Sequence, residues 1–319
     1  MVVPVAMVVF YAVLISVSIT AFAAATFYFT RRHFLMLSAI PLFIYGVGFY
    51  AVPGLMLTMS VVSGSPGPEH LVAYSHQGEA FLGTVALFFF LRKSDDDSVT
   101  GWLLSQVAQT SLAQAMALAC FHYSQSYKLE HGERPIVLLN TEVNRVLYIG
   151  MGLWFLVTVL QFLRKPALQS KSSGLSDNRM TIHRTIVTYS TFLISLFMIA
   201  NPDMIRTSKH ELLMDDVEKF AYQLAGAFFL TQAWAADSSK NFTHLKDQAG
   251  VFKAHLVLIF LGCLSQFSHV MTGKIHVLEC SPTLAASVFL AMNSFLALHR
   301  LDNLQIKSNE KLPDTKKKP

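Results

Sequence analysis

Long apolar stretches, each closed by a short polar interval, run the length of this chain. Nine of them approach the roughly 20 residues a helix needs to cross a bilayer: 4–30, 34–53, 73–91, 101–122, 141–163, 184–201, 218–236, 251–271 and 281–299. The pattern predicts an all-α integral membrane fold with about nine transmembrane helices. The fourth stretch is rich in glutamine and serine, and the seventh carries Gln223 and Gln232, so both are polar for a span. The first has no basic residues before it and far exceeds the about 7–15 apolar residues of a cleaved signal peptide. It reads as a signal-anchor that stays in place and ends at Arg31-Arg32.

The eight later stretches fall into two groups of four. Gly83 and Gly226 lie in the second stretch of each group at an offset of 143, and Cys120 and Cys263 in the third keep the same offset. Pro53 and Pro202 end the first stretch of each group at an offset of 149, which makes the second copy's loop six residues shorter. An even number of spans sets both copies the same way up, as a parallel repeat. The organisation expected is a signal-anchor over 1–33, four-helix units over 34–165 and 184–302, a Ser/Lys-rich linker over 166–183 and a polar tail over 303–319.

Composition supports the membrane class. Of 319 residues, 53% are hydrophobic and 14% charged, with mean hydropathy +0.43; soluble domains are about one quarter charged. A net charge of +5 would suggest an anionic partner in a soluble protein. Here the basic residues cluster at span ends, and no soluble segment is long enough for a nucleic-acid-binding domain. Placing the N-terminus in the lumen puts 18 of the 25 basic residues on the cytosolic side, among them Arg92, Arg164 and Arg300. That is the positive-inside bias. It also puts the sequon Asn241-Phe242-Thr243 and the C-terminus in the cytosol. Lys316 and Lys317 stand fourth and third from the end, the spacing of the di-lysine signal that coat machinery reads to return proteins to the endoplasmic reticulum membrane. Cys120, Cys263 and Cys280 form neither a disulfide framework nor a metal-ligand pattern.

The unit now described has a span ending in Pro53 or Pro202, a polar luminal loop, a span with a central Gly83 or Gly226, a polar-spotted third span, and a fourth ending at Arg164-Lys165 or Arg300. It resembles the DoxX-like four-helix membrane proteins, as a tandem copy over about 34–165 and 184–303, including small members induced by a tumour suppressor. The resemblance implies a compact membrane bundle but no single activity: some relatives accompany redox enzymes and others assist receptor assembly. The tandem emopamil-binding-like sterol proteins also have two four-span units. They carry acidic residues in early spans, whereas 34–53 and 184–201 have none.

Ionisable groups within a bilayer are costly and mark function by default. His76 and Glu79, spaced i,i+3 at the start of the third stretch, share a helix face; they read as a polar helix end or as half of a proton or metal site. Glu142 and Arg145 read as a local ion pair. In the fourth stretch Gln106, Gln109, Thr110 and Gln114 recur at helical spacing and form a polar stripe that must face other helices. It serves either interhelical packing or the lining of a cavity. His255, Gln266 and His269 are candidates for the same lining, although the two histidines stand four turns apart. No hydrolase, phosphate-loop or dinucleotide fingerprint occurs, so no cofactor or catalytic residue is named. The expectation is a non-enzymatic membrane protein that binds lipids or partner spans and serves assembly or scaffolding. The alternative is a transporter or lipid- or sterol-handling protein with a polar cavity between the repeats.

Overall fold

A computed structural model describes residues 31–63, 66–94, 96–132, 138–139, scattered positions from 152 to 163, and 178–204, 214–274 and 277–310. The expected signal-anchor, most of the fifth span with Glu142 and Arg145, most of the linker, and Lys316 and Lys317 lie outside them.

The described chain is helical: α1 (Arg31–Ala51), α2 (Pro53–Ser60), α3 (Pro68–Leu91), α4 (Asp97–Glu130), α5 (Asn178–Ala200), α6 (Asp216–Ser238), α7 (Leu245–Met271) and α8 (Val277–Glu310). Between α2 and α3, Val61–Ser63 pairs antiparallel with Leu138–Leu139 and ties two loops together. The boundaries follow local chemistry. Pro68 takes the first turn of α3, where its missing N–H costs nothing. Asp215 caps α6 by accepting from the Glu218 N–H, as a short acidic side chain at that position does. Both α4 and α7 stop just before a glycine in the left-handed region, Gly132 (φ +77) and Gly273 (φ +70). Only glycine takes that conformation without strain, which makes it the usual helix terminator. α5 begins at Asn178, six residues before its apolar run, because a helix need not end where its hydrocarbon-facing part does.

Among the described residues four helices are long and apolar enough to cross a membrane: His33–Ala51, Asn178–Ala200, Leu245–Met271 and Thr283–Ile306. They are candidate membrane spans and support the membrane class. Nine spans are not seen: the first predicted span and most of the fifth lie outside the described residues, and α3, α4 and α6 have the length but carry too many polar residues to be recognised by hydropathy. For α3 and α6 position explains the polarity. α3 lies at the centre, packed against α1, α6 and α7, and α6 packs in turn on α4 and α5. The apolar helices lie outside and keep large side chains exposed, such as Phe43 and Ile44 on α1, Phe197 on α5, and Phe289 and Phe295 on α8. Lipid tails satisfy such a surface, whereas backbone and side-chain polar groups must be satisfied inside.

Helix starts recur between the two predicted units, but in another register. α3 and α6 begin at an offset of 148, as do α4 and α7. At that offset Ala73-Tyr74, Gly78 and Phe81-Leu82 fall on Ala221-Tyr222, Gly226 and Phe229-Leu230. The buried positions coincide as well: Leu103, Leu104, Val107, Leu118 and Phe121 of α4 match Val251, Phe252, His255, Gln266 and His269 of α7. The pairs Gly83/Gly226 and Cys120/Cys263, at offset 143, are therefore not equivalents. Gly78, not Gly83, plays the part of Gly226: an added Cβ would meet the α1 backbone at 2.4 Å, as one at Gly226 would meet α5 at 2.8 Å. With Pro53 and Pro202 at offset 149, the connecting loops differ by one residue rather than six. α4 runs seven residues past the point matching the end of α7, which displaces any match made near the two ends.

Candidate functional site

The repeat pairs helices crosswise. α3 of the first copy packs antiparallel on α7 of the second, and α6 of the second packs antiparallel on α4 of the first. On the first interface Gly83 faces Leu258, Glu79 faces Gly262, and Leu91 faces Gly250. On the second Thr231 bonds Thr110 at 2.5 Å, Phe220 stacks on Phe121 at 4.8 Å, and Asp216 meets Lys128 at 2.9 Å. Adding the offset to one member and subtracting it from the other maps Gly83–Leu258 onto Thr231–Thr110. Each position of one interface thus has a counterpart on the other.

The α3–α7 interface carries ionisable groups. His76 Nδ1 lies 3.0 Å from Glu79 Oε2, and Glu79 is 5% exposed. Its other oxygen lies against Gly262, where any side chain would collide with it. Opposite, on α7, His269 is 4% exposed, and neither ring nitrogen has a hydrogen-bond partner; Gln266 Oε1 and Ser265 Oγ also have none. His269 is within electrostatic reach of His76, as Tyr50 of α1 is of Glu79. The Tyr50 hydroxyl donates to Leu261 O at 3.0 Å, and the Tyr222 ring of α6 lies 5.9 Å from the His76 ring. Four helices therefore converge on one buried cluster.

The matching positions on the α4–α6 interface are Leu224 for His76, Ala227 for Glu79, Ala117 for Ser265, Leu118 for Gln266 and Phe121 for His269. The same helix pairing is built there from apolar side chains, so the fold does not need the polar set. An unpartnered buried polar group costs about 1–3 kcal/mol. Packing alone gives no reason to keep one where leucine and phenylalanine serve.

The predicted glutamine stripe divides. Gln106 is buried with Oε1 unpartnered, Gln109 is exposed, and Thr110 and Gln114 line a cavity of about 20 Å³ with Thr84, Ser111 and Thr231. That volume admits about one water-sized molecule. His255 lies apart from this cavity. It is 2% exposed on α7, with Nε2 3.0 Å from Thr191 Oγ1 and Nδ1 2.9 Å from Ser294 Oγ. No group of three His, Cys, Asp or Glu among the described residues could hold a metal ion.

At one end of the bundle the copies are clasped. His70 Nε2 lies 2.7 Å from Asp215 Oδ2, while Gly67 N–H donates to His70 Nδ1 at 3.1 Å. That donation fixes the tautomer, so Nε2 bears the proton and donates to the carboxylate. Burial pulls the His70 pKa down, but the Asp215 hydrogen bond and charge outweigh it and raise it; the same contact holds Asp215 low against burial.

Sequence reading paired His76 with Glu79 and named Gln266 and His269 as lining candidates, but did not join the two sets. Tyr50, Ser265 and the His70–Asp215 clasp were missed. The register at offset 148 was the signal that would have joined them, since it shows α3 and α7 to be crosswise partners.

Residues 36–298 match the model of a protein family described as a domain of unknown function (DUF8292). No curated protein and no solved structure matches the chain. The likeness to DoxX-like proteins finds no support in these comparisons.

Proposed function

We propose that this chain, which belongs to the DUF8292 family, is a membrane protein that takes up the polar end of a lipid between its two repeats. The observation that carries the proposal is the asymmetry of the duplicated interface. One copy holds Glu79, His76, Gln266 and the unpartnered His269; its counterpart packs with Ala227, Leu224, Leu118 and Phe121. Buried acceptors and donors suit a hydroxyl- or amide-bearing headgroup, and the exposed apolar flanks of α7, including Phe260, Leu264 and Phe267, suit its tail. An assembly role through the glutamine stripe is less supported, because Gln106 and Thr110 are turned inward.

The reading includes the whole chain as two parallel four-helix units behind a signal-anchor. It has nine spans, with the inner helices α3, α4 and α6 crossing beside the apolar ones. The charge asymmetry supports a luminal N-terminus and cytosolic C-terminus, and Lys316 and Lys317 support residence in the endoplasmic reticulum. The test is lipid analysis of protein purified in mild detergent. The wild type should carry one lipid class above its share of the source membrane. The double variant E79A/H269F, which installs the sister interface's residue types, should lose that enrichment while staying folded. Identical lipid profiles would sink the proposal.

A further inference from the structure

One face of α7 carries polar stations at two-turn steps across the whole helix. Gln248 stands beside Asp247 at one end, followed by His255, then Gly262 with the Glu79 carboxyl lying on it, then His269. Each step is seven residues, about 10.5 Å of helix axis. Asp247, His255, Glu79 and His269 are all buried, at 3%, 2%, 5% and 4% exposure. The corresponding face of α4 offers an internal comparison. At the positions of Asp247, His255 and His269 it has Val99, Val107 and Phe121, and Ala227 replaces Glu79. Of two helices with one packing geometry, one bears a row of ionisable groups and the other bears none at those places.

The geometry points to a proton relay along α7, which couples the polar site proposed above to the aqueous phases at both ends of the helix. This inference rests on that site for its purpose but not for its test. Intramembrane rows of Asp, Glu and His are the usual proton carriers of pumps and transporters. His255 has the arrangement a relay station needs, because both ring nitrogens contact hydroxyls on different helices, Thr191 on α5 and Ser294 on α8. A proton passed from Ser294 to Nδ1 makes the imidazolium. Release from Nε2 to Thr191 restores the neutral ring as the other tautomer, so one proton enters and one leaves. His76 and Glu79 are hydrogen-bonded at 3.0 Å, a contact along which a proton can pass, and His269, with both ring nitrogens unpartnered, is the next station within electrostatic reach of His76.

The relay is interrupted here. Leu258, 1% exposed, lies between the His255 and Glu79 levels and fills the space against Gly83. Protons therefore reach Glu79 from the His269 end and His255 from the Asp247 end, as a coupled carrier requires and a leak does not. The titratable and charged groups around the stations are few. Asp247 has Ser94, Asp96, His244 and Lys246; His255 has the two hydroxyls, with the His183–Asn293 pair beside Ser294. Glu79 has His76, Tyr50 and Cys263, and His269 has His76 and Lys274.

The full chain in vesicles loaded with a pH-sensitive dye tests this without added ligand. Under an imposed pH gradient the wild type should hold protons, L258S should conduct them, and E79Q or H255F added to L258S should each restore the barrier. Flux through L258S that neither second substitution reduces would overturn the relay, and so would an L258S variant that folds and does not conduct. If L258S fails to fold, infrared difference spectra of the wild type between acid and neutral pH decide: a carboxyl band that vanishes in E79Q supports the relay, and its absence overturns it. Loss of lipid in E79A/H269F, with undiminished proton flux when the same pair is added to L258S, would leave the lipid site standing and remove only this inference.

Discussion

Adding one methyl group at each of three glycines should separate close helix contact from mere proximity. A Cβ at Gly78 would lie 2.4 Å from Tyr50 N, 2.8 Å from Gly46 O and 2.9 Å from Phe49 C, all backbone atoms of α1. Ordinary contact lies about 1 Å further out, and backbone cannot rotate away, so α1 and α3 must part. A gap of about 0.5–1 Å forfeits a quarter to a half of each dispersion contact along the seam. Overpacking of this kind costs about 1–3 kcal/mol, with backbone collisions at the upper end. Alanine returns about 1 kcal/mol of helix propensity over glycine, which leaves G78A destabilised by about 2 kcal/mol. At Gly226 the contacts are Met198 Cβ at 2.8 Å, Ile199 Cγ1 at 2.9 Å and Ser195 O at 3.1 Å. That mixed set predicts a loss of about 1 kcal/mol. At Gly83 they all belong to the Leu258 side chain, so loss and gain should nearly cancel. The assay is thermal unfolding in one detergent, followed by loss of the monodisperse peak, with G54A as the control because only Leu71 Cδ2 at 3.7 Å would meet its Cβ. The expected order of destabilisation is G78A, then G226A, then G83A and G54A together. If G78A matches G54A within about 0.5 kcal/mol, α1 and α3 do not meet as described and the register at offset 148 loses its main support.

H269F should raise stability by about 1–2 kcal/mol, because it replaces an unpartnered buried imidazole with the residue the sister interface uses; thermal unfolding beside the wild type reads it. The His70–Asp215 clasp should be pH-dependent on both sides. His70 has a raised pKa, so its contribution is complete below the ordinary 6.5 and is lost as pH rises through its folded value. Asp215 has a lowered pKa, so its contribution is complete above the ordinary 3.8 and is lost as pH falls through its folded value. Stability should therefore peak between these limits, and D215N, which keeps a capping side chain, should flatten the alkaline fall in a melting series across pH. Asn241 should remain unglycosylated in microsomes, since the proposed topology holds it in the cytosol; glycan on Asn241 would reverse the orientation. On the proposed residence in the endoplasmic reticulum, K316S/K317S should release the protein to later compartments by fluorescence microscopy, and an unchanged location would remove that part of the proposal.

The helices were legible because membrane-crossing segments announce themselves in apolar runs, but the starts of α3 and α7 were not, since Pro68 and Leu245 lie five and six residues before those runs. The register relating the two predicted copies was not legible either. Apolar residues dominate every stretch, so a glycine at offset 143 looks as good as one at 148 until burial decides between them. The pairing of Ala73-Tyr74 and Gly78 with Ala221-Tyr222 and Gly226 was available in the sequence, yet only the contact of Gly78 with Gly46 and Tyr50 shows why the glycine is needed. The polar cluster failed to appear for a different reason. His76 and Glu79 sit on α3 while Gln266 and His269 sit on α7, in the other copy of the repeat, and their meeting depends on crosswise packing that no local spacing encodes.

That crosswise packing also changes what a polar residue in this chain means. Hydropathy makes α3 and α6 look like poor spans, yet they are the helices that other helices cover, with α1 and α7 packed on α3 and α5 and α4 on α6. In such a bundle polarity measures distance from the lipid rather than distance from the membrane. Two interfaces with the same ancestry of geometry then provide their own control. Where Phe121 packs on Phe220, the site matching His269 is filled by an aromatic ring and needs nothing further. Where His269 stands, two ring nitrogens remain unpartnered in a buried seam. The fold tolerates either solution, so the difference reflects what the α3–α7 seam does, not how the bundle is held together.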